Sequence, residues 1–390
     1  MFEPLFLIPY SMFAVYATVY MYQMGFSATT IGWISSLGLF IQFFSSLISG
    51  YITDRLGRRA ALLYFDLVSW TIATLLWALA DNVWFFVIAA FVNGFQKIPN
   101  TAFYCLLVED STPKERTQVF TALQFISIVG GMFAPLGGLL VSHFTIIPAV
   151  RIMYLIAFVC MTIQFFARNH YTHETEIGLR KLEEAKNADL PKVLIEYGEI
   201  VRNIVKNHSL LLMFGVYILF HFQNTINSTF LSLYMVEYLQ MESWLISIFP
   251  AISAVVMLLS MWLFLPRIPE RHTIKALTCG MVVSLIGSLL LTVVSPGHII
   301  GLIVSTTLTA VGSVVIVPIL ESAVANVIDD EHRAKIFAVL SVLILAFISP
   351  AGIIGGWAYH FDPRIPFLLV GAAFITSIIL MRLYMQKTPG

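Results

Sequence analysis

The sequence predicts an all-α membrane protein with 12 transmembrane helices in two pseudo-symmetric six-helix bundles. Three observations predict it. The 390-residue chain is 58% hydrophobic and 11% charged, with a mean hydropathy of +0.86, whereas soluble domains run to roughly a quarter charged. Apolar runs of about 20 residues, the length that crosses a bilayer core about 30 Å thick, follow one another almost end to end. Lys and Arg gather in alternate loops, the pattern that sets orientation in a membrane.

Turn and charge signals divide the first half into spans at 2–22, 29–52, 60–80, 83–108, 117–142 and 148–167. A hydrophilic segment runs from Arg168 to His208, and six more spans follow at 209–236, 243–265, 273–295, 298–327, 334–359 and 365–385. The chain therefore reads as an N-terminal bundle (1–167), a connector (168–208) and a C-terminal bundle (209–390). Within the connector, Leu194, Ile195, Ile200, Val201, Ile204 and Val205 keep helical spacing, which predicts an amphipathic helix lying near the membrane. Some 40 residues are too few for a sizeable core of their own.

Both termini are expected in the cytosol. That orientation places Arg55, Arg58, Arg59, Lys114, Arg116, Arg168 and the connector's basic residues on the inner side, leaving Arg151 and Arg364 outside and Lys97 within a span. Neutral outer loops and the lack of a leader pattern fit a bacterial inner membrane. The zero net charge offers nothing to nucleic acid. Cys105, Cys160 and Cys279 sit in apolar runs without paired spacing, so neither a disulfide framework nor a zinc site is expected. No phosphate-binding glycine loop, metal cluster or nucleophile triad appears, so no cofactor and no enzyme activity is expected. The expected partners are a small-molecule substrate, protons and the lipid bilayer, and the expected state is a monomer.

The halves echo each other. EDSTPKERTQVFTALQF (109–125) resembles IDDEHRAKIFAVLSVLI (328–344), and FAPLGG (133–138) resembles ISPAGIIGG (348–356). An outer loop and an arginine, Arg151 or Arg364, follow each copy. Repeated bundles of this kind are a common plan for transporters.

Between the second and third spans stands SGYITDRLGRRAALL (49–63), which concentrates Asp54, Arg55, Arg58 and Arg59 around Gly50 and Gly57. Glycines permit close helix approach and a tight turn, and the charges can meet helix ends and acidic partners. A simple positive anchor needs the arginines but neither the Asp nor two glycines at fixed offsets. The stretch resembles the G-x-x-x-D-R-x-G-R-R signature of the major facilitator superfamily. The resemblance implies that Asp54 faces the start of the eleventh helix near Arg333, that Arg58 approaches Glu109 or Asp110, and that these contacts latch an inner gate in the outward-facing state.

The chain also departs from the family's patterns. The corresponding turn of the second half, LPRIPERH (265–272), carries Pro266 and Pro269 where an Asp and a Gly are expected. Ala90 stands where many proton-coupled members have an arginine, and FAPLGG only approximates the proline-glycine motif of drug/proton antiporters.

The fourth span holds Lys97 near its middle, in one stripe with Asn93, Asn100, Thr101 and Tyr104. A charge at that depth costs about 2.5–3.5 kcal/mol on insertion scales, which predicts a water-filled cavity around it. The resemblance implies a central cavity lined by helices 1, 4, 7 and 10. Polar residues occur on all four: Glu3, Tyr10 and Ser11 on the first; His221, Gln223, Asn224 and Asn227 on the seventh; Thr306, Thr309, Ser313 and Glu321 on the tenth.

Lys97, Asn93, Asn100, Asn224, His221 and Glu321 are thus the substrate or coupling candidates. The plainer alternatives are an internal ion pair for Lys97, hydrogen bonds from neighbouring amides for His221, a place in the inner-gate network for Asp66, and ordinary packing for the aromatics of the first span. The expected function is alternating-access transport of a small solute, coupled to protons, with an anionic group received by Lys97. The rival readings are a multidrug or amphipath exporter and, in another class, a non-transporting membrane sensor.

Overall fold

A computed structural model describes residues 2–109, 113–184, 198, 208–263, 267–268, 272–327 and 333–387. The described residues are helical apart from short turns, and the chain divides into two compact units. Unit 1 comprises Met1–Phe26 and Ile34–Ile195; unit 2 comprises Ser27–Trp33 and Glu196–Gly390. Among the described residues, ten helical stretches are long and apolar enough to cross a membrane, and a bent pair near the N-terminus makes eleven if taken as one span. Apart from Gly198, the amphipathic helix expected over 194–205 lies outside the described residues, as does the inner-gate candidate Asp110.

In unit 1 the bent pair is α1 (Pro4–Ala14) and α2 (Ala17–Gln23), 41° apart. It is followed by α3 (Ala28–Leu56) and α4 (Arg58–Asp66). The third span then passes through one π-helical turn, Leu67–Ile72, before α5 (Ala73–Ala78). Next come α6 (Val83–Asn93) and α7 (Lys97–Val108), joined by a 3-10 turn at Gly94–Gln96. Then α8 (Pro113–Gly131) and α9 (Ala134–His143) form one span broken just before Pro135, and α10 (Ile146–Tyr171) leads to α11 (Glu176–Glu184).

The stretch 83–108 is helical throughout but is not among the ten, because Asn93, Gln96, Lys97 and Asn100 lower its hydropathy. Its break has a physical cause. Pro99 has no N–H for the carbonyl four residues back, so the regular ladder cannot run through Phe95. Gly94 lies so close to α3 that an added Cβ would come within 2.5 Å of the Ile41 Cβ, and the Ser45 hydroxyl donates to the Gly94 carbonyl at 2.7 Å.

In unit 2, α12 (His208–Glu237), α13 (Ile248–Leu263), α14 (Thr273–Val293), α15 (Ile299–Val327), α16 (Arg333–Ile348), α17 (Ala351–Phe361) and α18 (Ile365–Lys387) follow in order. The pair α14 and α15 packs most extensively, with α12 against α18 next. The repeat seen in sequence recurs here: α16 and α17 break at Pro350 as α8 and α9 break at Pro135. Both units also bury a tyrosine near the end of their first helices. Tyr20 donates to the Trp77 carbonyl at 3.2 Å, and Tyr234 to the Leu291 carbonyl at 3.3 Å.

Large apolar side chains face outward where a soluble protein would place polar ones: Trp262 is 75% exposed and Ile300 70%. Such surfaces suit a lipid environment, in which every backbone group must find its partner inside the helix. The aromatics of the first span divide in two. Phe13, Tyr16 and Tyr20 are buried, with Phe13 and Tyr154 rings 4.8 Å apart, while Tyr10 is exposed.

Candidate functional site

At the turn between α3 and α4, Gly57 has φ +86°, a conformation that glycine adopts without the strain other residues incur. Arg58 follows it and is buried. Its guanidinium lies 2.7 Å from Asp54 and donates to Glu109 from two nitrogens at 3.1 and 3.2 Å. Thr175 donates to the other Glu109 oxygen and accepts the Gly178 N–H at 2.8 Å. Glu174 closes the network by accepting the backbone N–H of Arg58 at 2.9 Å and of Arg59 at 3.0 Å. A carboxylate at a helix N-terminus satisfies orphan donors and meets the positive end of the dipole. Arg59 reaches Asn169, and Arg55 reaches the Tyr51 hydroxyl at 2.6 Å.

Two expectations about this turn need correcting. Gly50 was expected to allow a close helix approach, but a Cβ there would meet nothing within 4 Å, so packing does not explain that glycine. Arg168 was placed in the connector, whereas it belongs to the last turn of α10. The connector's opening residues, Glu174 and Thr175, are part of the unit 1 network. The expected approach of Asp54 to the start of the helix at Arg333 cannot be followed, since side chains there lie outside the described residues.

A second charge cluster lies one helix turn or two further along. Arg168 forms ion pairs with Asp66 and, at 3.5 Å, with Glu3, while Gln164 donates to Glu3 at 3.3 Å. The Arg168 guanidinium also stacks over Phe103 and Phe165. Two acids therefore share one cation in a largely buried setting.

Lys97 opens α7 at the helix break and is half-buried. Among the described residues no acid pairs with its ammonium. Asn93 is engaged on both sides: its amide donates to the Ser69 carbonyl in the π-helical turn at 2.8 Å and accepts from Gln96 at 2.9 Å. π-turns occur mostly as single turns inside α-helices, and Asn93 ties this one to the fourth span. Asn100 is exposed, and Thr101 bonds Ser49 of α3 at 3.0 Å and the Lys97 carbonyl at 3.0 Å.

In unit 2 a cavity of about 210 Å³ opens between α12 and α15, with Gln223, Asn224 and Asn227 on one wall and Thr306, Thr309 and Ser313 on the other. None of the described residues that line it carries a charge. His221 stands outside it, its ring edge-on to Tyr217 at 4.8 Å and to Phe220 at 5.8 Å. The Glu321 side chain lies outside the described residues. Among the described residues no group of His, Cys, Asp and Glu could hold a metal ion, and all three cysteines are free.

Sequence reasoning missed Glu174, Thr175 and Arg168 as members of charge networks. Their signal was present: acids and a threonine follow the sixth span at once, where a basic helix start needs acceptors. Gln223, expected among the polar residues of the seventh span, does line the cavity of unit 2.

Comparison with known proteins gives a consistent result. A profile of the Major Facilitator Superfamily matches residues 5–276. Multidrug resistance protein MdtG of Salmonella dublin is 28% identical over 185 residues, covering 45% of this chain, and the match spans 43% of that protein's length. Among solved structures, a mutant of peptide transporter POT in complex with alafosfalin superposes with a TM-score of 0.73 at 17% identity, covering 100% of this chain and 94% of that one. A mutant of nucleoside transporter NupG gives a TM-score of 0.71 at 14% identity, covering 99% of both chains. At these identities the structures speak for the fold alone. The profile match runs over more than half of the sequence and takes in the charged turn at Gly57, and the chain belongs to the major facilitator superfamily.

Proposed function

We propose that this integral multi-pass membrane protein is a secondary transporter that moves a small solute by alternating access, with Lys97 receiving an anionic group of the substrate and protons supplying the driving force. The observation that carries the reading is Lys97 itself. It sits at a helix break inside an apolar span, half-buried, with no acid paired to it among the described residues. Ionisable residues at such depth are expensive and mark substrate or ion pathways. Asn93 braces the break through the Ser69 carbonyl, and Asn100 is exposed on the same helix one turn away.

In this reading 83–108 is the twelfth span, Asn224 and His221 serve the substrate from unit 2, and Glu321 serves it or carries a coupling proton. The network of Asp54, Arg55, Arg58 and Arg59 with Glu109 closes the inner gate; Gly57 makes its turn. Both termini then face the cytosol of a bacterium, and the protein works as a monomer.

The test is a thermal-shift screen of purified protein against organic anions, sugars, amino acids and lipophilic cations, run in parallel on Lys97→Ala. Binding to the folded state raises its melting temperature by mass action. An anion class that stabilises the native protein and not the variant supports the reading.

A second reading, export of lipophilic drugs, is favoured by the likeness to MdtG, a multidrug resistance protein by name. Stabilisation of both proteins alike by lipophilic cations or neutral amphipaths would select it and leave Lys97 a structural or coupling role.

A further inference from the structure

The third and fourth spans of unit 1 are each broken once, and the two breaks meet. The third passes through the π-helical turn Leu67–Ile72 and the fourth through the 3-10 turn Gly94–Gln96. The Asn93 amide donates across to the carbonyl of the buried Ser69 at 2.8 Å, and Gln96 holds that amide in place by donating to its oxygen at 2.9 Å. A 3-10 stretch inside a helix often marks a hinge, and π-turns recur at functional sites. Helices bend where the regular ladder is already interrupted.

Beyond the breaks, α4 and α7 run antiparallel as one body. Ala61 and Leu62 of α4 pack with Ile98 and Ala102 of α7 into a buried cluster, and small residues let two helix backbones lie close. At the far end the buried Arg58 guanidinium holds Glu109 at 3.1 Å. The pair is thus pinned at both ends and packed between them. Lys97 is the first residue of α7, at the hinge, and Glu109 caps the other end of that 12-residue helix, about 18 Å away at 1.5 Å per residue. The unbroken α3 supplies a fixed side, with Ser45 donating to the Gly94 carbonyl at 2.7 Å beside the hinge. In unit 2 the same two spans of the repeat, α14 and α15, run without a break over Thr273–Val293 and Ile299–Val327. The paired breaks therefore belong to the half that carries Lys97.

We propose that α4 and α7 form a stiff arm, hinged where Asn93 meets Ser69, that connects Lys97 at one end to the Arg58–Glu109 ion pair at the other. Asn93 is a positioning residue in this device. Both ends of its amide are engaged inside the protein, so it acts through Lys97 and not on a solute. A displacement at one end of the arm moves the other, because a close-packed cluster transmits strain and compresses little. The role of Lys97 at the end of the arm rests on the transport reading, in which an anion drawn to the lysine bears on the inner gate; the arm itself rests on packing alone.

The chain supplies its own reporters. Cys105 lies on α7 one turn before Glu109, Cys160 on α10 outside the arm, and Cys279 exposed on α14 of unit 2. The purified full-length protein in nanodiscs is treated with N-ethylmaleimide, and mass spectrometry follows each thiol, with Cys279 as the internal reference. Asn93→Leu removes the hinge bond, and the loss of one hydrogen bond shifts a local opening by about fivefold. Cys105 is expected to react about fivefold faster in that variant, while Cys160 keeps its rate and amide exchange rises together over 67–72 and 94–98. Gln96→Met, which releases the Asn93 amide from its second bond, is expected to act in the same direction and serves should Asn93→Leu fail to fold. An unchanged or slower Cys105 overturns the inference, and so does exchange that rises over 94–98 alone. Equal acceleration of Cys105 and Cys160 identifies a general loosening of unit 1 and overturns it too. If the thermal-shift screen finds no anion that depends on Lys97 while Cys105 responds as expected, the transport reading loses its lysine and the arm stands. If an anion depends on Lys97 and Cys105 does not respond, the arm alone falls.

Discussion

Arg58 is buried with its guanidinium held between two acids, Asp54 of α3 at 2.7 Å from across the turn and Glu109 at 3.1 Å from the end of α7. The two contacts are unequal in kind. Glu109 is 12% exposed and Asp54 38%, so the first pair is desolvated and the second is partly screened by water. Breaking a buried pair by removing one partner costs about 3–5 kcal/mol, because the other charge is left uncompensated, whereas exposed pairs contribute about 0–1 kcal/mol. Arg58→Met is therefore expected to lower stability by about 3 kcal/mol, with partial recovery in Arg58→Met/Glu109→Gln. Asp54→Asn should leave the melting temperature nearly unchanged while impairing proteoliposome flux of the solute that the ligand screen identifies. Thermal unfolding of the four proteins in one detergent, with flux for Asp54→Asn, checks both. Normal flux from a correctly inserted Asp54→Asn protein would remove the gating role.

The two glycines of the same turn are expected to respond in opposite directions. At Gly57 the backbone has φ +86°, and a Cβ would come within 2.9 Å of the Glu174 carboxylate that caps α4. Gly57→Ala should cost about 1–2 kcal/mol from the left-handed backbone alone. Gly50 lies inside α3 with open space around its absent Cβ. Gly50→Ala should be neutral or stabilise by up to about 1 kcal/mol, through helix propensity. Chemical or thermal denaturation of the two variants decides the matter, and equal losses would show that Gly50 carries a packing role that this structure does not contain.

These contrasts show where the sequence is readable. Hydropathy is a local property, so the apolar spans could be seen in it directly, and the likeness of FAPLGG to ISPAGIIGG marked the repeat, though not that each copy breaks its span, at Pro135 and Pro350. The Arg58–Glu109 contact was within reach because a charged turn and an acidic helix end recur in one family pattern. Partners set by three-dimensional packing were not. Glu174 reaches Arg58 across 116 positions, and Arg168 gathers Glu3 from the other end of unit 1. Nothing in the helical period announces either. The π-turn at Leu67–Ile72 is likewise not announced by the helical period, and Asn93 bonds its Ser69 carbonyl; the break at Gly94–Gln96 has a local cause in Pro99, while its contact with Ser45 of α3 is set by packing.

Asp362 and Arg364 make a pH-dependent clasp at the turn between α17 and α18. The Arg364 guanidinium donates to both Asp362 oxygens, at 2.7 and 3.0 Å, and its backbone N–H donates at 2.8 Å. These bonds hold the Asp362 carboxyl below the usual carboxylate range in the folded protein. The unfolded chain then binds the proton first on acidification. The stabilisation is thus complete above the unfolded carboxyl's pKa and is lost as the pH falls through the lower, folded one. Asp362→Asn is expected to melt lower than the native protein at neutral pH, by a small margin because the pair is exposed, with the gap closing on acidification. Melting curves of both proteins across that range test it, and a gap that grows in acid would reverse the assignment.

The cluster around Arg168 makes the strongest demand on its single cation. Asp66 and Glu3 both pair with it, and Gln164 donates to Glu3 at 3.3 Å. Removing the arginine leaves two carboxylates facing each other in a poorly hydrated space, whereas removing one acid leaves a matched pair. Arg168→Met should therefore reduce stability by about 3 kcal/mol or more. Glu3→Gln should be tolerated, because an amide at 3 can still bond Gln164 and Arg168 keeps Asp66. Asp66→Asn should cost less than Arg168→Met, since Glu3 remains for the cation. The triple variant Glu3→Gln/Asp66→Asn/Arg168→Met, with no charge left, should recover much of the loss, as neutral replacements of buried ion groups often do. Melting temperatures of the set in one detergent give the coupling, and a triple variant no more stable than Arg168→Met alone would mean that the arginine acts through its stacking on Phe103 and Phe165 and not through its charge.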